Sequence, residues 1–188
     1  KITILAHSNG GLLAKSLIEA MEKEGKSNLV DKVIFIAVPE LGTAQAILAM
    51  LHGHKQSILG GLFLSESTAR IFSQNVPGAY GLLPSKKFFE YNPFDIINDS
   101  FSSGAEKVIS SYNSMKDFVL NSTFSKKSSS DINIPLKLNS YILSLAEKTH
   151  DIYDTWKSAS NTKTVSILGW GMPTSQSVLY KKDWHCDE

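Results

Sequence analysis

The residue with the clearest capacity for chemistry is Ser8, in the sequence Ala-His-Ser-Asn-Gly at residues 6–10. A serine hydroxyl becomes an effective nucleophile only when a base accepts its proton and its oxygen is aimed at a carbonyl carbon. A tight strand-to-helix turn does the aiming, and it directs the backbone N–H of the next residue, Asn9, at the oxyanion that forms during acyl transfer. Small residues two positions before and after the serine, Ala6 and Gly10, are expected to let the strand and the helix approach closely. The pattern therefore predicts a nucleophile at Ser8 and an oxyanion-hole donor at Asn9.

The segments on either side of Ser8 decide between this interpretation and a plainer one, in which the hydroxyl only caps the next helix. Residues 2–6 are apolar and β-branched, which is typical of a strand covered on both faces of a parallel sheet. The residues after Gly11 follow a helical pattern up to Gly25, a natural helix stop. Because a nucleophile turn requires a buried strand before it and a helix after it, the context favours the catalytic interpretation.

The helix after the turn and the strand beyond it complete a βαβ unit. Lys15 and Glu19 lie four residues apart, and we expect them on the solvated side of the helix. Residues 32–38 form a second apolar run that Pro39 ends, so a right-handed crossover is expected to join two parallel strands. The predicted apolar stripe of the helix consists of Leu13, Leu17 and Met21, flanked by Ala14, Ile18 and Ala20.

The rest of the chain is predicted to be a long helical insertion followed by a returning strand. We expect a nucleophile unit at residues 1–39, a mainly helical cap at 40–162, and a return strand with a tail at 163–188. The predicted cap helices run over residues 43–51, from Ser65 to about residue 75, through residues 105–119, and onward from Pro135 with a face of Leu138, Tyr141, Ile142, Leu145, Ile152 and Trp156. Residues 163–169 and 177–180 are predicted strands.

Four sequence blocks carry a resemblance to known serine hydrolases, in the same order along the chain. They are Ala-His-Ser-Asn-Gly-Gly-Leu at 6–12, Val-Pro-Glu-Leu-Gly-Thr at 38–43, Val-Pro-Gly-Ala-Tyr-Gly-Leu-Leu-Pro-Ser at 76–85, and Gly-Trp-Gly-Met-Pro-Thr at 169–174. On these blocks the chain resembles the α/β-hydrolase superfamily. The third block points to the lecithin:cholesterol acyltransferase-like lipase branch, whereas the first is shared by many serine hydrolases.

The resemblance implies a partial α/β-hydrolase fold, with parallel strands, crossover helices and a large helical cap. It implies a serine ester hydrolase or acyltransferase of lipase, esterase or phospholipase type, which works through an acyl-enzyme on Ser8. The apolar helices and aromatic residues of the cap would bind an ester or lipid substrate.

The resemblance also implies where the other catalytic groups lie. In this branch the triad acid belongs to an Asp- and Gly-rich segment after the fourth block, and the histidine lies later still. Asp183 and His185 are only two positions apart, so no acid or histidine of the triad is assigned here. Both groups and the second oxyanion donor are expected on the remainder of the hydrolase domain, in the same full-length chain. We therefore expect little or no esterase activity from residues 1–188 alone.

The other histidines have plainer interpretations than that of a catalytic base. His7 adjoins Ser8 on a strand, so its side chain points to the other face and is expected to pack or to orient the turn. His52 and His54 lack further ligands for a metal and are expected at the surface. His150 and Asp154, four residues apart, are expected on a solvated helix face.

Composition excludes several classes of protein. The 188 residues carry 19 Lys and Arg against 18 Asp and Glu, so there is no basic excess to indicate nucleic-acid binding. No apolar run approaches the ~18 residues needed to cross a bilayer, and the single cysteine, Cys186, excludes an intrachain disulfide. The sequence has no cofactor or metal motif. Glycosylation patterns at residues 98–100 and 121–123, together with the resemblance, favour secretion or the cell surface.

Two further functions are compatible with the same residues. A non-catalytic binding module would keep the hydrolase frame and use the helical cap as its contact surface, since no acid–histidine pair can be assigned. An acyltransferase would use the residues of a hydrolase but pass the acyl group to an alcohol. A triad acid and histidine elsewhere in the reading frame would favour the enzyme, and their absence would favour the binding module.

Overall fold

The computed structural model describes residues 1–54, 65–99, 107–121, 132–159 and 161–180. These residues contain two three-stranded sheets together with helices, which agrees with the predicted α/β class. The strands are β1 (Ile2–His7), β2 (Val30–Ile36), β3 (Ile97–Asp99), β4 (Lys107–Ile109), β5 (Lys163–Ile167) and β6 (Val178–Tyr180). The helices are α1 (Gly10–Lys23), α2 (Ala44–His52), α3 (Glu66–Ser73), α4 (Pro77–Tyr80), α5 (Lys86–Tyr91), α6 (Tyr112–Asn121) and α7 (Ser140–Tyr153).

The first sheet carries the predicted nucleophile turn. Its strands lie in the order β1-β2-β5, and both neighbouring pairs are parallel. Helix α1 covers one face of this sheet, where Ala6, Ala14, Ile18, Val33 and Phe35 form a buried cluster. Within the described residues β1 is an edge strand, although its composition suits a strand with neighbours on both sides.

The opposite face of the first sheet is exposed. Leu5, Ile34 and Val165 are aligned across its strands, and Leu5 and Val165 are 67% and 42% exposed. The composition of residues 2–6 predicts cover on both faces, but the described residues cover only one. Contiguous apolar surface of this kind is typical of a face that contacts further polypeptide.

The buried side of α1 differs from the prediction. Leu13 and Leu17 at the centre of the predicted stripe are exposed, whereas its flanking residues Ala14 and Ile18 are buried together with Leu12. This register also buries Gly11, where the absence of a side chain lets α1 lie close to the segment that follows β2.

The solvated position expected for Lys15 is wrong. Its side chain is 2% exposed, and its ammonium donates to Glu40 Oε2 at 2.8 Å and to the Tyr153 carbonyl at 3.3 Å. The same ammonium lies 6.0 Å from the ring centroid of Phe35 and 5.5 Å from that of Trp156. A counter-charge, a carbonyl and two aromatic faces together make burial of this charge tolerable.

Helices α2 and α3 begin where the sequence predicts. The hydroxyl of Thr43 accepts a hydrogen bond from the Gln45 N–H, and that of Ser65 accepts one from the Thr68 N–H. Both are N-cap interactions, which depend only on residues close together in the sequence.

The helix predicted through residues 105–119 is wrong over residues 107–111. Lys107–Ile109 is strand β4, which pairs antiparallel with β3, and α6 begins only at Tyr112. A short apolar segment fits either a helical or a strand pattern, so the partner strand decides between them.

Helix α7 begins later and buries a different face than predicted. It starts at Ser140, not at Pro135, because the side chain of Asn139 caps it by accepting from the N–H groups of Tyr141 and Ile142. Tyr141 of the predicted face is 70% exposed. The buried residues are Leu143, Ala146, His150 and Tyr153.

The second sheet lies against the larger core. Its order is β4-β3-β6, with Ile97 of β3 aligned with Val178 of β6, so the predicted strand near residue 178 pairs with the middle of the chain. Both residues belong to a cluster that also includes Ile47, Met115 and Leu143. This cluster joins the two strands to α2, α6 and α7.

Some predicted features lie outside the described residues. They include Asp183, His185 and Cys186, and also Ser100 and residues 122–123 of the glycosylation patterns. Among the described helices, none combines the length and apolar character that a membrane span requires.

Replacing Glu40 with Ala removes the counter-charge of the buried Lys15. We expect the free energy of unfolding to fall by about 1–3 kcal/mol, because the ammonium keeps only a carbonyl and aromatic partners. Urea denaturation followed by circular dichroism measures this change. Glu24→Ala, which breaks the exposed Lys26–Glu24 pair, is the matched control and should have little effect. Equal losses in the two variants would contradict the role assigned to burial.

Candidate active site

Ser8 lies at a strained turn between β1 and α1. Its φ angle is +53°, in a region that residues other than glycine adopt rarely and at a cost in free energy. The Ser8 N–H donates to the Ile36 carbonyl at 3.0 Å, and the Ser8 carbonyl accepts from the Gly11 N–H at 2.9 Å. The strand–turn–helix context predicted for a nucleophile is therefore present, with the sharp backbone turn that such a residue needs.

Asn9 lies at the positive end of α1. This helix runs for 14 residues, and the N–H groups of its first turn concentrate positive potential that favours a developing oxyanion. The side-chain amide of Asn9 donates to the Gly78 carbonyl of α4 at 3.4 Å. Asn9 thus has the position expected of an oxyanion donor, and its catalytic role stays a prediction.

The close approach of α1 occurs at Gly11, not at Gly10, and it is made to the segment that follows β2. A Cβ atom on Gly11 would meet the Val38 side chain at 2.2 Å, whereas one on Gly10 would have nothing within 4 Å. The expectation for Gly10 is therefore wrong. Ala6 is buried between the sheet and α1, as the expected close approach requires.

The second and third sequence blocks, residues 38–43 and 76–85, are joined through their backbones. The Thr43 N–H donates to the Leu82 carbonyl at 2.9 Å. Gly42 has a φ angle of +88°, and a Cβ atom there would meet the Leu83 carbonyl oxygen at 2.2 Å. Only glycine fits at this contact. The hydrogen bond and the close contact together hold the two blocks as one unit beside the nucleophile turn.

His150 and Asp154 form a buried pair, so the solvated face expected for them is wrong. Their side chains are 9% and 10% exposed, and His150 Nδ1 lies 3.0 Å from Asp154 Oδ1. His150 Nε2 donates to the Gly81 carbonyl at 2.9 Å, which attaches α7 to the third block. Burial is tolerable because both ring nitrogens have partners. The same bonds leave no nitrogen free to act on Ser8.

The remaining histidines of the described part are also not placed as a base. His52 is partly buried, not at the surface as expected, with Nδ1 2.6 Å from the Ile132 carbonyl and Nε2 2.7 Å from the Tyr180 hydroxyl. Burial lowers the pKa of His52. His54 is exposed, and so is His7, on the sheet face away from α1. Within the described ranges no histidine hydrogen-bonds Ser8, and no three potential metal ligands come together.

An open groove of about 370 Å³ begins beside the turn. We call it the α1–α7 groove, because α7 forms the wall opposite α1. It is lined mainly by apolar groups, with Asn9, Gly10, Leu12 and Leu13 on one side, Pro77, Gly78 and Gly81 near α4, and Leu145, Ala146, Thr149 and Tyr153 on α7. Its volume lies within the range of small-molecule sites.

A parallel sheet with a strained serine turn at the head of a helix defines an α/β protein of the hydrolase type. Residues 1–184 match the lecithin:cholesterol acyltransferase family, and the chain belongs to this family. The chain resembles in fold a chain in the crystal structure of the Tle4–Tli4 complex, with a TM-score of 0.57 and 19% sequence identity. The match covers 87% of this chain and 35% of that one, so this chain spans about a third of its length. No curated protein matches the sequence.

The contact between Gly11 and Val38 can be tested with a pair of neighbouring variants. Gly11→Ala should lower the free energy of unfolding by about 1–3 kcal/mol, because Val38 is β-branched and has little freedom to move away. Gly10→Ala should leave stability unchanged or raise it slightly, since alanine favours the helix and meets no neighbour. Thermal and urea denaturation of both variants measure the difference. Similar stabilities would contradict the close approach at Gly11.

The buried pair also predicts how stability depends on pH. Burial raises the pKa of Asp154, but hydrogen bonds from His150 and Ser85 and the charges of His150 and Lys87 outweigh it, so the net pKa is lowered. A lowered carboxyl pKa contributes stability that is present above the ordinary value near 4 and is lost as the pH falls through the folded-state value.

Asp154→Asn should therefore destabilise the protein at pH 7 by about 1–3 kcal/mol, and the difference from wild type should shrink below about pH 4. Urea denaturation at a series of pH values measures it. Asp151→Asn, on the exposed side of the same helix, is the control. A difference that stays constant down to pH 3 would show that the Asp154 charge contributes nothing.

Proposed function

We propose that this chain supplies the nucleophile part of a serine ester hydrolase or acyltransferase that works through an acyl-enzyme on Ser8. The observation that carries the proposal is the positive φ of Ser8 at the turn between β1 and α1. Backbone strain of this kind persists where the surrounding structure imposes it, and it is concentrated at functional sites. Membership of the lecithin:cholesterol acyltransferase family supports lipase- or acyltransferase-type activity in general.

The proposed reaction begins when Ser8 Oγ attacks the carbonyl carbon of an ester and loses its proton to a base. The negative charge then moves to the carbonyl oxygen, where the Asn9 N–H and the positive end of α1 stabilise it. Collapse of this intermediate breaks the bond to the alcohol, which takes the proton and leaves the acyl group on Ser8. Water or a second alcohol then attacks the acyl-enzyme, so hydrolysis and acyl transfer differ only in this last step.

We further propose that the triad acid, the histidine and the second oxyanion donor belong to polypeptide beyond residues 1–188. His52 and His150 have other partners, and His7 is exposed on the sheet face away from α1. The uncovered sheet face through Leu5 and Val165 offers a surface on which such polypeptide would pack. The part of the chain between residues 40 and 162 would serve as the cap. The α1–α7 groove, which lies partly under it, is the proposed site for the acyl group.

A fluorophosphonate probe tests the proposed nucleophile in the intact protein, that is, the full-length chain that we propose to extend beyond residues 1–188. We expect stoichiometric labelling, which Ser8→Ala abolishes because the probe reacts with an activated serine. Ser144→Ala, a helix-surface serine whose hydroxyl bonds the Tyr141 carbonyl, is the control and should label normally. Residues 1–188 produced alone should hydrolyse a nitrophenyl ester at the background rate.

Each outcome of this experiment has a definite meaning. Labelling that survives Ser8→Ala would assign the nucleophile to another serine. Absence of labelling in a folded, intact protein would reject the enzyme and favour the non-catalytic binding module. Robust ester turnover by residues 1–188 that depends on Ser8 would show that the proposed additional polypeptide is dispensable.

A further inference from the structure

Tyr153 lines the α1–α7 groove beside Ser16 of α1, away from the nucleophile turn. The hydroxyl groups of Tyr153 and Ser16 are 2.6 Å apart, and the Tyr153 carbonyl accepts from the buried Lys15 ammonium. The Tyr153 ring packs edge-on against the ring of His150, with centroids 6.0 Å apart, and the residue is 9% exposed. Because bonds and packing hold Tyr153 on several sides, it forms a fixed wall.

The distance from the turn to this wall limits what the groove can hold. Ser16 follows Asn9 by two helical turns, which is about 10 Å along the axis of α1. This distance fits one acyl chain of medium length and is too short for a fully extended long chain. The groove volume of about 370 Å³ lies at the small end of the range of ligand sites.

The lining of the groove suits an apolar ligand with one polar end. Leu12, Leu13 and Leu145 provide apolar walls, and Leu13 is 72% exposed, so a bound chain would remove its surface from water. The polar end of such a ligand would lie at Asn9, beside the positive end of α1.

We propose that the α1–α7 groove selects a single acyl chain of about octanoyl length, and that Tyr153 sets this limit. The selection rests on the proposed function in one respect, namely that Ser8 carries the acyl group. The length limit itself is a property of the groove, and it can be measured without reaction at Ser8.

Binding of straight-chain fatty acids to the Ser8→Ala form of the intact protein tests the limit by calorimetry. Each buried methylene strengthens binding by about fourfold, so affinity should rise from hexanoate to octanoate and level off towards dodecanoate and palmitate. Tyr153→Leu removes the wall and should extend the rise to dodecanoate. Tyr153→Phe keeps the ring, and Tyr141→Leu changes an exposed tyrosine of the same helix, so both should keep the octanoate limit.

Several results would overturn the proposal. In the protein with Tyr153 in place, an affinity that keeps rising to palmitate, or that does not depend on chain length, would overturn it. A folded Tyr153→Leu protein that keeps the octanoate limit would also overturn it. If circular dichroism shows that Tyr153→Leu is unfolded, Thr149→Leu decides, because added volume on the α7 wall should move the limit to hexanoate. Fluorophosphonate labelling of Ser8 reports separately on the proposed function, so either proposal can fail alone.

Discussion

The ammonium group of Lys15 is enclosed by protein, and the partners that it requires come from distant parts of the chain. Glu40, after β2, supplies the counter-charge, and the carbonyl of Tyr153 at the end of α7 supplies a second acceptor. The rings of Phe35 and Trp156 lie beside the same group. Because an uncompensated buried charge is strongly destabilising, these segments have to be placed together for α1 to lie on its sheet. The Ser8 turn leads into α1, and Tyr153 lines the groove, so both depend on this arrangement.

The third sequence block, residues 76–85, holds the helical part of the molecule to the nucleophile unit. Its Gly78 carbonyl accepts from the Asn9 side chain of the nucleophile unit. On the helical side, Tyr80 is fully buried, donates to the Gln74 carbonyl and accepts from the Asn139 N–H, while the Gly81 carbonyl accepts from His150. Burial raises the pKa of Tyr80, which favours the neutral phenol that this donor role requires. The block is thus a set of polar anchors with specific partners.

The sequence could predict the features that depend on residues close together along the chain. The Ser8 turn and the caps at Thr43 and Ser65 arise from short-range geometry and hydrogen bonds. The buried side of α1 and the burial of His150 depend on partners far along the chain. A hydrophobic periodicity counts every lysine or histidine as polar, so it cannot show that one of them is buried against a distant partner. The Gly11 contact could have been suspected from the paired glycines, but its partner, Val38, is known only once the helix is placed on the sheet.

The left-handed backbone at Ser8 also restricts which side chains could replace serine as the proposed nucleophile. Threonine carries the same hydroxyl, but its second Cβ substituent crowds the backbone when φ is positive, as in all β-branched residues. An unbranched side chain such as that of serine or cysteine avoids this crowding. Of the two aliphatic residues that carry a hydroxyl, serine therefore fits this backbone and threonine is disfavoured on steric grounds alone. The shape of the turn thus limits which nucleophilic side chains a single substitution can place at this position.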